Sequence, residues 1–150
     1  VNRVRAEISA VILKRRQDWE IRLHEFLAAR RDQPFEWGKN DCALFVCDAI
    51  QAMTDIDCAP NFRDFYSNSG AAKNLIRQFG SLGALAQQLA EKQGFPEVPV
   101  LMAQRGDVAL ADLDGQTLLV VSLDGRFAVG PGLRGWVEVP IEKCSKAWRI

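Results

Sequence analysis

The residue whose type and position could do covalent chemistry is Cys42, the last of the segment Phe35-Glu36-Trp37-Gly38-Lys39-Asn40-Asp41-Cys42. Asn40 or Asp41 is placed to cap a helix beginning here, so the thiol falls in a first helical turn, at the positive end of the helix dipole. That field is worth ~0.3–1 kcal/mol and at best ~2 kcal/mol. One pKa unit corresponds to about 1.4 kcal/mol, so the dipole alone lowers a thiol from ~8.5 by about one unit. Asp41 next door opposes it. A cysteine hydrolase needs more. A neighbouring imidazolium takes such a thiol to ~3–4, and the same group protonates the leaving amine, help worth roughly 10²–10⁴ in rate. The chain has one histidine, His24, one residue off the apolar stripe of its helix, where a surface or boundary residue belongs. The segment supplies a nucleophile's setting without its base. The competing reading of Cys42 is a small buried hydrophobe, a common fate of free cysteine.

No other set of residues offers a site. Cys47, Cys58 and Cys144 read as packing residues, and no two of the four cysteines have the C-x-x-C spacing of zinc or redox sites. With one histidine to complete a ligand set, no metal and no cofactor are expected. The glycine-rich stretch Gly130–Gly135 does not join a strand to a helix and lacks a Gly-Lys-Ser/Thr ending, so it reads as a turn and not a phosphate cradle.

The elements that must position Cys42 follow from periodicity. Trp19, Leu23, Phe26, Leu27 and Arg30 form a helical stripe ending before Pro34. Residues 43–53 are apolar on nearly every side, the pattern of a helix in the middle of a protein. Two shorter helices are predicted, one near Ala71–Phe79 stopped by Gly80, the next from a Ser81 cap to Gly94. After Pro99 the period becomes extended. Val108–Leu113, Thr117–Leu123 and Arg126–Val129 are separated by Asp114-Gly115 and Asp124-Gly125, strong hairpin signals. Trp136–Pro140 adds a strand and Lys146–Ile150 an edge strand. Helices first and an antiparallel meander second give an α+β class, the buried helix packed on a curled sheet or partial barrel.

The 150 residues suffice for one domain with a core. Apolar residues at 48% and charged residues at 25% are globular proportions. A formal net charge of zero gives no field toward nucleic acid or anionic lipid, and no apolar run approaches the roughly 20 residues of a membrane span. The N-terminal stretch differs from the rest: in the first sixteen residues Arg3, Arg5, Lys14, Arg15 and Arg16 stand against one acid, Glu7, around the apolar patch Ile8–Leu13. That patch is shorter than a signal-peptide core of ~7–15 residues and no small-residue cleavage site follows it, so reduced thiols are expected.

Trp37-Gly38-x-x-Asp41-Cys42 opening an apolar helix, with Gly106-Asp107-Val108 opening a strand, resembles the NlpC-type cell-wall peptidases of the papain-like superfamily. More closely, the chain resembles a family of phage and prophage proteins related to them and encoded among tail genes. The shared features are Trp19, Arg22 and Leu23; the Pro34–Cys42 segment; Asp48; Arg63, Tyr66, Gly70 and Ala71; Pro131-Gly132; and Ala147-Trp148-Arg149. They run in order from about Trp19 to the end. The resemblance implies a papain-like (NlpC-type) fold, with Cys42 in the nucleophile's place. Aligning the Asp124–Phe127 turn with that of the family puts Thr117 near the histidine position, and Ala43-Leu44 stands where Ser-Gly is usual. Thr117 cannot act as a base near neutral pH.

These features lead to a domain at residues 19–150 and an N-terminal arm at 1–18 that docks on a partner. The leading functional expectation is a phage tail-tip or baseplate subunit, structural or docking in role, with hydrolysis degraded or lost. It would be made in the bacterial cytoplasm and incorporated in the virion tail among other tail and baseplate proteins. An active cysteine amidase cleaving peptidoglycan peptides during infection is the second reading, its base drawn from a partner chain or a carboxylate such as Asp107. An intracellular regulator or immunity protein that binds a peptide in the old cleft is the third. None of the three involves nucleic acid or a membrane.

Overall fold

A computed structural model describes residues 14–150. Among the described residues four α-helices come first: α1 (Trp19–Arg30), α2 (Cys42–Thr54), α3 (Ser69–Arg77) and α4 (Leu82–Gln93). Six strands follow: β1 (Glu97–Val98), β2 (Val108–Leu113), β3 (Gln116–Ser122), β4 (Phe127–Gly132), β5 (Gly135–Pro140) and β6 (Cys144–Trp148). They form one antiparallel sheet in the order β1-β6-β2-β3-β4-β5. The α+β class and the meander β2–β5 are as the sequence predicts.

The helix ends are chemically marked. Asp41, Asn68 and Ser81 each accept a hydrogen bond from the backbone amide three residues on, capping α2, α3 and α4. Gly94 closes α4 in the left-handed conformation, where a side chain would be strained. Asp55 does the same for α2 without glycine's freedom, at φ 64°.

The core lies between α2 and one face of the sheet. Leu44, Phe45, Ala49 and Met53 of α2 are buried with Leu23 and Leu27 of α1 and with Leu110, Leu119, Val121 and Val129 of β2–β4. The intervening strand residues, Ala109, Ala111, Val120, Ala128, Val139 and Ala147, face the other way. All six are alanine or valine, and they cluster with Ala103 and Ile141. Phe26 meets Phe45 at 5.2 Å between ring centroids, which fixes α1 on α2.

Three expectations need correction. The strand expected at the C-terminal edge, β6, lies inside the sheet, with β2 on one side and the two-residue β1 on the other. Two residues are too few to show a strand's alternation, so β1 leaves no trace in the sequence pattern. The glycine-rich stretch is not a loop throughout: β4 runs to Gly132 and β5 starts at Gly135. Pro131 is tolerated because the β3–β4 ladder covers only Val121↔Val129 and Ser122↔Ala128, so no partner awaits its missing N–H. Finally, residues 14–18 of the expected docking arm pack on the domain itself. The Arg16 amide donates to Met53 O at 2.8 Å, and the Arg15 guanidinium stacks on Trp19 at 4.2 Å. The rest of that arm, residues 1–13, lies outside the described residues.

Candidate functional site

The turn that feeds α2 is built around Asp41. Its carboxylate is 2% exposed and accepts from Gly38 N at 3.0 Å, Leu44 N at 3.0 Å and Tyr66 Oη at 2.5 Å. Burial, then the bond to Asp41, push the Tyr66 hydroxyl far above its ordinary pKa, so it remains a donor throughout the ordinary pH range. Gly38 has φ 80°, and a Cβ there would sit 1.9 Å from Tyr66 O. The Trp-Gly pair is thus required by the close approach of the 59–66 loop, which also returns Asp64 N to Gly38 O at 3.1 Å.

Beneath the turn runs a charge network. Asn40 is 1% exposed; its amide donates to Pro34 O at 3.0 Å and its carbonyl accepts from Arg30 at 3.1 Å. Arg30 also binds Asp48 at 2.7 Å, and Arg63 joins Asp48 to Asp57 at 2.5 and 3.0 Å. Asp48, the one charge in an apolar helix, is therefore held between two guanidiniums. A buried charge costs several kcal/mol unless so paired.

Cys42 heads α2 above this scaffold. Its residue keeps some surface, but burial dominates at the sulfur and pushes the thiol up to about 11. The Leu119 backbone amide in β3 faces the thiol and lowers it in part, while the Asp41 charge raises it further. At pH 7 such a thiol is ionised in about one molecule in ten thousand. Beside it lies a cavity of about 50 Å³, walled by Trp37, Tyr66, Leu75, Ile76, Leu82 and Leu89 among others. The hairpin of α3 and α4 thus roofs the thiol with aliphatic side chains.

The expected base positions are occupied otherwise. Thr117 falls on the same face of β3 as Leu119 by alternation, yet Leu119, two residues on, meets the sulfur. The Thr117 hydroxyl is exposed and donates to Asp112 Oδ1 at 2.8 Å across the β2–β3 pair. His24 is exposed on α1 and does not line the cavity beside Cys42. Asp107 cannot substitute. It is fully buried and bound by Arg15 at 2.8 Å, Arg149 at 2.9 Å and Gln104 N at 2.9 Å. Its backbone pairs with Ser122, three residues along β3 from Leu119.

Asp48, Arg63 and Tyr66, which the sequence offers only as features of the resemblance, meet on α2: Arg63 binds Asp48 in its middle and Tyr66 binds Asp41 at its cap. The signal was available in a lone aspartate within an apolar helix, which demands cationic partners. Arg30, read only as part of a stripe, is one of them.

What fold and site define together is an α+β domain with a protonated, roofed cysteine at the head of its central helix. Residues 14–150 match the family described as "Domain of unknown function (DUF6950)", and the chain belongs to that family. No curated protein matches it. Among the described residues, no helix is long and apolar enough to cross a membrane.

Proposed function

We propose that this chain is a papain-like, NlpC-related domain that has lost hydrolysis and acts as a structural or docking subunit of a phage tail tip or baseplate. The observation that carries the loss of chemistry is the state of Cys42. Its thiol is pushed up to about 11 by burial, and the single histidine lies elsewhere, exposed on α1. A hydrolase of this type needs a thiolate and a proton donor at the leaving amine. Cys42 has neither.

Supporting the relationship are a cysteine opening a buried helix, that helix packed on an antiparallel sheet, and Gly106-Asp107 leading into β2. The residues that carry the resemblance mostly hold the frame. Asp41, Gly38 and Tyr66 fix the turn, Asp48 and Arg63 fix the loop to α2, and Trp148 and Arg149 close the sheet. A domain kept for its frame is the expected product when chemistry is lost and assembly is not.

The experiment has two arms. Mass spectrometry of purified phage particles should find the chain in the virion. The purified protein should leave peptidoglycan fragments uncut. Cleavage abolished by Cys42→Ala would overturn the loss of hydrolysis, and absence from the particle would overturn the tail assignment.

A further inference from the structure

A pair of thiols lies deeper in the domain than the turn that holds Cys42, one of them, Cys47, also lining the cavity beside that residue. Cys47 is in the second turn of α2 and Cys58 is in the loop after that helix, both 6% exposed. They are near neighbours, close enough for each thiol to perturb the ionisation of the other. They also line one apolar cavity of about 50 Å³ between α2, α4 and the sheet, with Ala86, Phe95 and Trp148. A single water needs only about 10–15 Å³ of such space, so a molecule as small as hydrogen peroxide fits.

The loop bearing Cys58 carries the groups that hold the head of α2. Arg63 and Tyr66 lie on it and reach Asp48 and Asp41. We propose that Cys47 and Cys58 form a disulfide when a peroxide reaches their shared cavity, and that this bond staples the 55–66 loop to α2. The proposal stands on this pair alone and is independent of the function proposed above.

The order of events follows from the pair's electrostatics. The neighbouring Cys47 lowers the Cys58 thiol, against its burial and the Asp57 charge, while the Cys47 thiol is itself raised, so Cys58 is the thiol that reacts first. The Cys58 thiolate attacks one peroxide oxygen, the O–O bond breaks, and hydroxide leaves and takes a proton to become water. Cys58 is then a sulfenic acid. Cys47 gives up its proton and attacks the Cys58 sulfur; the S–O bond breaks and a second water leaves. Two thiols and one peroxide become one disulfide and two waters.

The test uses the full chain and a variant with Cys42→Ser and Cys144→Ser. Each is treated with hydrogen peroxide, remaining thiols are alkylated, and the chain is cleaved at Asp48 and Asp55 so that the two sulfurs fall on different peptides. The expected result is one linked species, lighter than the two peptides together by two hydrogens and separated by dithiothreitol. Oxidised protein should melt several degrees higher than reduced protein, and Cys58→Ala should show neither effect. A link between Cys42 and Cys47, Cys58 accumulating as sulfinic acid, or recovery of both thiols unchanged would overturn the proposal.

Discussion

At the scale of single residues, the head of α2 carries a thiol held as a thiol. The sign of its linkage to stability follows directly. In the unfolded chain Cys42 loses its proton near the ordinary value of 9.0, whereas in the fold it keeps it to about 11. Stability from this group is complete below the lower value and declines as pH rises between the two, by about 1.4 kcal/mol per unit. Cys144, also pushed up to about 11 by burial, acts in the same direction, but it is only half-buried and solvent screening weakens its share. Urea midpoints measured across this range should fall, and Cys42→Ala should fall less steeply by about one proton's worth. The same state makes alkylation slow: iodoacetamide at about pH 6 should modify Cys42 orders of magnitude more slowly than a papain-like thiolate. Rapid, Cys42-dependent labelling at that pH would contradict the proposed loss of hydrolysis. Gly38 bears the opposite constraint, because it cannot accept a side chain. Gly38→Ala combines a strained φ of 80° with a Cβ 1.9 Å from Tyr66 O, so the loop must move. We expect a loss of at least about 2–3 kcal/mol, read from chemical denaturation.

At the scale of elements, α2 is held at its head by a loop and along its side by charges. Removing Asp48 leaves Arg30 and Arg63 facing each other, partly buried, without the carboxylate that joins them. Breaking a fully buried pair costs about 3–5 kcal/mol; with the arginines partly exposed, Asp48→Ala should cost about 2–4 kcal/mol by urea denaturation. A cost below about 1 kcal/mol would show that the network is solvated. The helices themselves were legible because their caps are local chemistry: Asp41, Ser81 and Gly94 mark ends that depend on neighbouring residues only. The hairpin signals Asp114-Gly115 and Asp124-Gly125 were legible for the same reason. What the sequence hid is non-local. That β6 is interior depends on β1, two residues with no period, and that β4 continues through Pro131 depends on where β3 parts from it. The site was half legible. Cys42 and its cap could be read, and Thr117 could be aligned, but the roof of α3 and α4 over the thiol and the partners of Asp48 arise from tertiary packing.

At the scale of the whole molecule, the two ends of the described chain meet over one buried carboxylate. Asp107 opens β2 with no exposed surface, and its charge is balanced by Arg15 from before α1 and Arg149 from after β6. Arg15 reaches further. Its guanidinium donates to Arg105 O at 3.1 Å and to Ile150 O, and it lies over Trp19. Lys14 donates to Gln93 O at the end of α4 and lies over Phe95 at 5.1 Å. A segment whose composition suggested an arm for a partner thus contains a clasp that joins α1, α4 and both ends of β2's neighbourhood. The prediction for residues 14–18 therefore reverses the one that composition suggests. Arg15→Ala leaves Asp107 buried with a single cation and removes the stack on Trp19. By the scale of broken buried pairs, and with Arg149 still present, the loss should be on the order of 2–3 kcal/mol. For a domain of this size that is about 5–10 °C in melting temperature. Asp107→Asn in the same background removes the charge that Arg15 balances, so the two changes should be strongly non-additive in a double-mutant cycle. Calorimetry of the four proteins decides the matter: a change of a degree or less for Arg15→Ala, or simple additivity, would return this segment to the role of a free arm.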